Sequence, residues 1–155
     1  MILDELLEFC DATSVARAAG TALIGDVVDL GSTSSDPGNG QPIYLYLSVD
    51  TSVVTGGSAG TVQFKLASDS TASIATDGSA TEHYVTPAYV TDDDATIGLP
   101  AGKAILCVAL PSGQTYERYL GILQVTATTT ITAGAVSIGL TKNQTGWRAY
   151  PDANS

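Results

Sequence analysis

The sequence contains few positive charges. It has 6 lysine and arginine residues against 16 aspartate and glutamate residues, which gives a formal net charge of -10. Nucleic-acid binding depends on clustered cations that neutralise phosphates, so this scarcity argues against a nucleic-acid partner. It also argues against binding to an anionic membrane surface. Apolar runs are short as well, and none approaches the roughly 20 residues of a membrane-spanning helix.

The residues that most chemistry requires are equally scarce. His83 is the only histidine, and no G-x-S-x-G motif accompanies it, so a Ser-His-Asp triad is not expected. One histidine and two separated cysteines, Cys10 and Cys107, provide neither a typical zinc site nor a disulfide framework. The run Asp92-Asp93-Asp94 lacks the ligand spacing of a calcium loop and is typical of a solvated loop. We therefore expect no enzyme activity, no cofactor and no metal.

Threonine, serine and glycine are abundant in this chain, whereas charged residues are few. Charged residues make up only 14% of the chain, compared with about 25% in a typical soluble domain. The sequence contains 20 threonines, 14 serines and 16 glycines. Apolar and polar residues alternate clearly in residues 42–50 and 61–68, with turn formers between such runs, above all in residues 31–41. These patterns predict seven to nine strands in an antiparallel β-sandwich of jelly-roll type.

The two ends of the chain differ from its middle. Apolar residues in positions 1–10 recur at spacings of three and four, which permits a short helix. Acidic residues stand here where a secretory signal would carry lysine or arginine, so we expect no signal peptide. We divide the chain into an N-terminal arm (residues 1–12), a β-sandwich domain (residues 13–142) and a polar C-terminal tail (residues 143–155). Whether the arm packs on its own domain or grips a partner stays open.

Several short motifs, taken in order, resemble a family of small capsid cement proteins from tailed bacteriophages. They are residues 1–12 (MILDELLEFCDA), 27–31 (VVDLG), 38–45 (GNGQPIYL), 116–120 (YERYL) and 132–136 (TAGAV). Members of that family are similar in beginning with "MILD" and continuing to "IDLG", "GNGEPLYL", "RYL" and "TAGKV". The likeness covers residues 1 to about 142 and leaves the tail from Asn143 without a counterpart.

The resemblance implies a structural protein on the outer surface of an icosahedral capsid. Such proteins form small homo-oligomers, here a homodimer or homotrimer, and bridge neighbouring subunits of the major capsid protein. From the residues we expect partner contact at apolar positions with no obvious place in the sandwich, namely Ile2, Leu3, Leu6, Leu7 and Phe9. We add three polar loop positions, Asp36, Asn39 and Gly40. Because aromatic residues are enriched in interfaces, Tyr44 and Tyr46 are candidates for an oligomer interface, or else they pack beneath a loop.

A second function fits the same fold class. A β-sandwich binding module, such as a fibre or carbohydrate-recognition domain of a phage, would also need no catalytic residue. It would place tyrosines or Trp147 on an exposed face, and binding to saccharides would distinguish it from a cement protein.

Overall fold

The computed structural model describes residues 5–31, 36, 37 and 39–142. Within these ranges, a single turn of 3-10 helix, Glu5–Leu7, precedes nine strands. They are β1 (Glu8–Ser14), β2 (Gly20–Asp29), β3 (Tyr44–Thr55), β4 (Gly60–Asp69), β5 (Thr81–Val85), β6 (Tyr89–Thr91), β7 (Lys103–Ala109), β8 (Tyr119–Ala127) and β9 (Ile131–Thr141). No helix in these ranges is long and apolar enough to cross a membrane.

The strands form two antiparallel sheets that pack face to face. Sheet A has the order β1-β9-β3-β7, and sheet B has the order β2-β8-β4-β5, with β6 also pairing with β4. Strands β5 and β6 lie end to end beside β4 because Pro87, which has no N–H to donate, interrupts the pairing between them. Counted as one strand, they complete the eight-stranded arrangement of a jelly roll. The predicted fold class is confirmed.

The core between the sheets follows the alternation that the sequence displays. Leu45, Leu47 and Val49 of β3 point inward, and so do Val62, Phe64 and Leu66 of β4, each at most 3% exposed. Fully burying one such side chain stabilises the fold by roughly 1.5–3 kcal/mol. These side chains meet inward-facing residues of β8 and β9 in one continuous cluster.

The first strand begins within residues 1–12, which the sequence analysis assigns to an N-terminal arm. β1 pairs with β9 along Glu8–Ser14, and its register shifts twice, so residues 8–12 belong to the sandwich. The side chain of Phe9 in β1 points into the core and is fully buried there. The shifts break the regular alternation of an ideal strand, which is why the sequence pattern does not reveal β1.

A second, smaller apolar cluster covers the outer face of sheet B. The connection between β4 and β5 folds back so that Ile74 packs with Leu123 and Ala67, and the Ile74 side chain lies against Gly121. The carboxylate of Asp69 accepts hydrogen bonds from the backbone N–H groups of Thr71 and Ala75, at 3.2 and 3.0 Å. This connection therefore packs on the outer face of sheet B, whereas its polar composition indicates only a loop.

An ion pair joins the ends of two neighbouring strands. The Arg118 guanidinium donates to both carboxylate oxygens of Asp29, at 2.9 and 2.8 Å, and these bonds lower the pKa of Asp29 from 3.8 to about 2.

Between pH 2 and pH 3.8 the unfolded chain binds more protons at Asp29 than the folded chain does, so the free energy of unfolding is expected to rise with pH in this window. In Asp29→Asn this part of the pH dependence should disappear, as measured by urea unfolding across the window. An identical pH dependence in the two proteins would contradict this role.

Candidate docking surfaces

The N-terminal apolar residues separate into a buried part and an exposed part. Phe9 lies in the core, and Leu7 is half-buried against the same cluster. Leu6 is 82% exposed, the largest exposed fraction among the large hydrophobic side chains that the structure describes. Ile2 and Leu3 lie outside the described residues. Phe9 is therefore not available for partner contact in this structure, and its predicted lack of a place in the sandwich is wrong.

The polar loop before β3 contacts the turn between β7 and β8. One carboxylate oxygen of Asp36 accepts a hydrogen bond from the N–H of Gly113, at 2.9 Å, and the Asp36 carbonyl accepts one from the N–H of Asn39. Asn39 and Gly40 are exposed, and Gly40 has a φ of 85°. These hydrogen bonds of Asp36 hold the loop in place. Of the three loop positions predicted to contact a partner, Asn39 and Gly40 are the ones exposed to solvent.

The two tyrosines of β3 point to the outer face of sheet A. Tyr44 is half-buried, whereas Tyr46 is only 2% exposed. The ring of Tyr46 lies on Gly139 of β9, where an added Cβ atom would be 2.7 Å from the phenol oxygen. Burial raises the pKa of this phenol, and the nearby Glu8 carboxylate raises it further. Tyr46 is packed within its own chain, against a strand rather than beneath a loop, and the assignment of Tyr44 and Tyr46 to an oligomer interface stays a prediction.

His83 lies in a hydrogen-bonded cluster that resembles a catalytic triad in connectivity only. Its Nε2 atom is 2.7 Å from Ser68 Oγ, its Nδ1 atom is 3.0 Å from Gln114 Oε1, and its ring stacks on Tyr116 with centroids 3.9 Å apart. Ser68 is 0% exposed, and its Oγ also accepts a hydrogen bond from the N–H of Glu117. A substrate cannot reach this serine, so the cluster ties β4 and β5 to the segment before β8.

Carboxylates are spread over the surface. A cavity of about 480 Å³ opens between β1 and β2, lined by Glu8, Phe9, Cys10, Asp11, Thr13, Gly25 and Asp26.

Within the ranges that the structure covers, no three histidine, cysteine or acidic side chains are placed to hold a metal ion. A side-chain hydrogen bond with Asp92, together with the like charge of that carboxylate, raises the pKa of the adjacent Asp93 carboxyl.

An apolar surface that the sequence pattern does not reveal lies on one side of the sandwich. We call it the β5–β7 side and define it as strands β5, β6 and β7 with the connection between β6 and β7. Val85, Val90 and Ile97 on this side are 41%, 54% and 42% exposed. The middle of β7, residues 105–108, is apolar and half-buried. The sequence indicates this surface only through the nearly continuous apolar run of residues 104–110. Such a run does not by itself show whether a strand lies in the centre of a sheet or at its edge.

Comparison with known proteins adds a family to this geometry. A family model named Bbp16 matches residues 9–140, from the start of β1 almost to the end of β9. The chain belongs to the Bbp16 family. The Bbp16 match covers nearly all of the jelly roll, including the buried Phe9 of β1. No curated protein matches the chain. The Bbp16 region also contains the β5–β7 side, whereas Leu6 lies just before it.

Proposed function

We propose that this protein is a structural component of a phage virion that binds the outer surface of the icosahedral capsid. There it would bridge neighbouring subunits of the major capsid protein and stabilise the shell. The ordered series of cement-protein motifs and the name of the family support a phage role. The docking proposal rests on the exposure of Leu6, a large apolar side chain that is 82% exposed just before the first strand of the sandwich.

In this proposal the residues of the N-terminal segment have two different roles, anchoring the segment and contacting the capsid. Phe9 and Leu7 fix the segment on the core, and Leu6 projects from the single helical turn that precedes β1. A side chain that is already held near the surface loses less conformational freedom on binding than one on a disordered tail. Many copies on one shell would act together, so each contact can be small.

Replacement of Leu6 tests this docking site. Leu6→Ser is expected to leave the fold unchanged, because the side chain is 82% exposed, and to weaken binding to expanded capsid shells by about tenfold or more. Binding is measured by co-sedimentation of the purified protein with shells that lack it. Ala18→Ser, a change at an exposed alanine between β1 and β2, is the matched control and should bind normally. Unchanged binding by Leu6→Ser would contradict the assignment of this residue.

A further inference from the structure

The chain contains two residue pairs whose side chain could form a cyclic imide with the backbone, Asn39-Gly40 and Asp77-Gly78. In such a pair the backbone nitrogen of the glycine attacks the side-chain carbonyl carbon of the residue before it. Glycine hinders this attack least, because it carries no Cβ atom. Both glycines have a positive φ, 85° for Gly40 and 93° for Gly78, and no atom lies within 4 Å of either Cβ position. The sequence and the backbone conformation therefore do not distinguish the two pairs.

Hydrogen bonds protect the Asp77-Gly78 pair. One carboxylate oxygen of Asp77 accepts hydrogen bonds from the backbone N–H and from the hydroxyl group of Ser79, at 3.0 and 2.6 Å. These bonds hold the carboxylate on Ser79, and they lower the pKa of Asp77. The group is therefore ionised at neutral pH, and an ionised carboxylate resists attack by a nucleophile.

The Asn39-Gly40 pair has no such protection. Both residues are exposed in the polar loop before β3. The backbone N–H of Asn39 donates to the carbonyl oxygen of Asp36, at 3.1 Å, which fixes the chain just before the pair. Within the described ranges, no group forms a hydrogen bond with the side-chain amide of Asn39 or with the backbone N–H of Gly40. The amide carbon and the nitrogen that can attack it are both free to react.

We propose that Asn39 is a site of spontaneous deamidation, at which it reacts with Gly40 and becomes aspartate or isoaspartate. The Gly40 nitrogen gives its proton to hydroxide and forms a bond to Cγ of Asn39. The bond between Cγ and Nδ2 breaks, and Nδ2 takes a proton from water and leaves as ammonia. Water then opens the cyclic imide: addition at Cγ gives aspartate, and addition at the backbone carbonyl carbon gives isoaspartate. The reaction needs neither an enzyme nor an oxidant.

Deamidation places a further negative charge in the loop that already contains Asp36. Asn39 is one of the exposed positions predicted to contact the capsid, so this consequence rests on the proposed function. A charge that a partner covers must lose its hydration, which weakens binding unless a cation of the partner pairs with it. Protein that has aged in solution is therefore expected to bind shells more weakly than fresh protein.

The site itself is tested on the full chain in solution, without shells. The purified protein is incubated at neutral pH, and peptide mapping by mass spectrometry follows the mass gain that accompanies exchange of the amide NH2 group for OH. Enzymatic methylation, which labels isoaspartate but not aspartate, compares positions 39 and 77 in the same sample. Asn39→Gln is the matched control, because its side chain keeps the amide but has to close a larger ring. A synthetic peptide with the sequence of residues 36–43 gives the rate without the fold.

The expected result is a mass gain with isoaspartate at Asn39, at a rate within about tenfold of the rate in the peptide, because exposed loops open at little cost in free energy. The rate should rise in more alkaline buffer, Asp77 should yield no isoaspartate, and Asn39→Gln should keep its mass. An Asn39 that keeps its mass while the peptide deamidates, or equal amounts of isoaspartate at positions 39 and 77, would overturn the proposal.

Co-sedimentation of aged protein with shells tests the consequence separately, with Asn39→Asp as the reference for the added charge. Both are expected to bind more weakly than fresh protein. If deamidation occurs and binding stays the same, the modification site stands, and the prediction that Asn39 contacts the capsid is wrong.

Discussion

Phe9→Ala is expected to destabilise the protein by about 3–5 kcal/mol, the usual cost of removing a buried phenylalanine. Phe9 is 0% exposed and belongs to the central cluster between the sheets. Truncation would leave a cavity beside a strand whose pairing with β9 already contains two register shifts. The free energy of unfolding, measured by urea denaturation followed by circular dichroism, gives the size of the loss.

Leu6→Ala provides the contrast in the same assay. Because Leu6 lies three residues away and is 82% exposed, its truncation should change the free energy of unfolding by no more than about 0.5 kcal/mol. Equal effects at the two positions would show that the N-terminal segment does not divide into a buried and an exposed part.

Gly25→Ala is expected to be similarly severe, with a loss of about 3–5 kcal/mol or a failure to fold. Gly25 has a φ of 66°, a conformation that costs other residues roughly 1–2 kcal/mol. An added Cβ atom would overlap the carbonyl oxygen of Phe9 and lie 2.7 Å from the Cβ atom of Cys10. The backbones of β1 and β2 would have to separate, and that strain adds to the conformational cost.

Gly78→Ala separates the two contributions. Gly78 also has a positive φ, 93°, but no atom lies within 4 Å of the position that a Cβ would occupy. Only the conformational cost should appear in this variant, as a loss of about 1–2 kcal/mol. If thermal unfolding shows equal losses in the two variants, close packing of β1 on β2 is not what requires glycine at position 25.

The sequence predicted those parts of the fold in which local pattern and tertiary position agree. β3 and β4 alternate cleanly because one face of each is buried in the core, and their inward residues could be identified directly. β1 could not be identified, because register shifts and an edge position remove the alternation. The packing of the connection before β5 was not predicted, because in a mostly polar stretch it depends on Ile74, Ala75 and Ala80 meeting Leu123 of β8 across the fold.

The candidate surfaces were less predictable for a related reason. An apolar side chain in a sequence may be core or interface, and only the three-dimensional neighbours distinguish the two. Phe9 and Leu6 have the same character in the sequence, yet one is buried and the other is exposed. Likewise Tyr46 packs on Gly139 of a strand that is 93 residues away in the chain, a contact that no local pattern encodes.

The most direct test of the account is the heat resistance of capsid shells with and without this protein. Shells filled with DNA are stripped of the protein, divided, and one half is replenished with the purified chain before both are heated. The account predicts that the replenished shells retain their DNA at temperatures at which the stripped shells release it. Release at the same temperature in both, or a purified protein that does not bind the stripped shells, would contradict it.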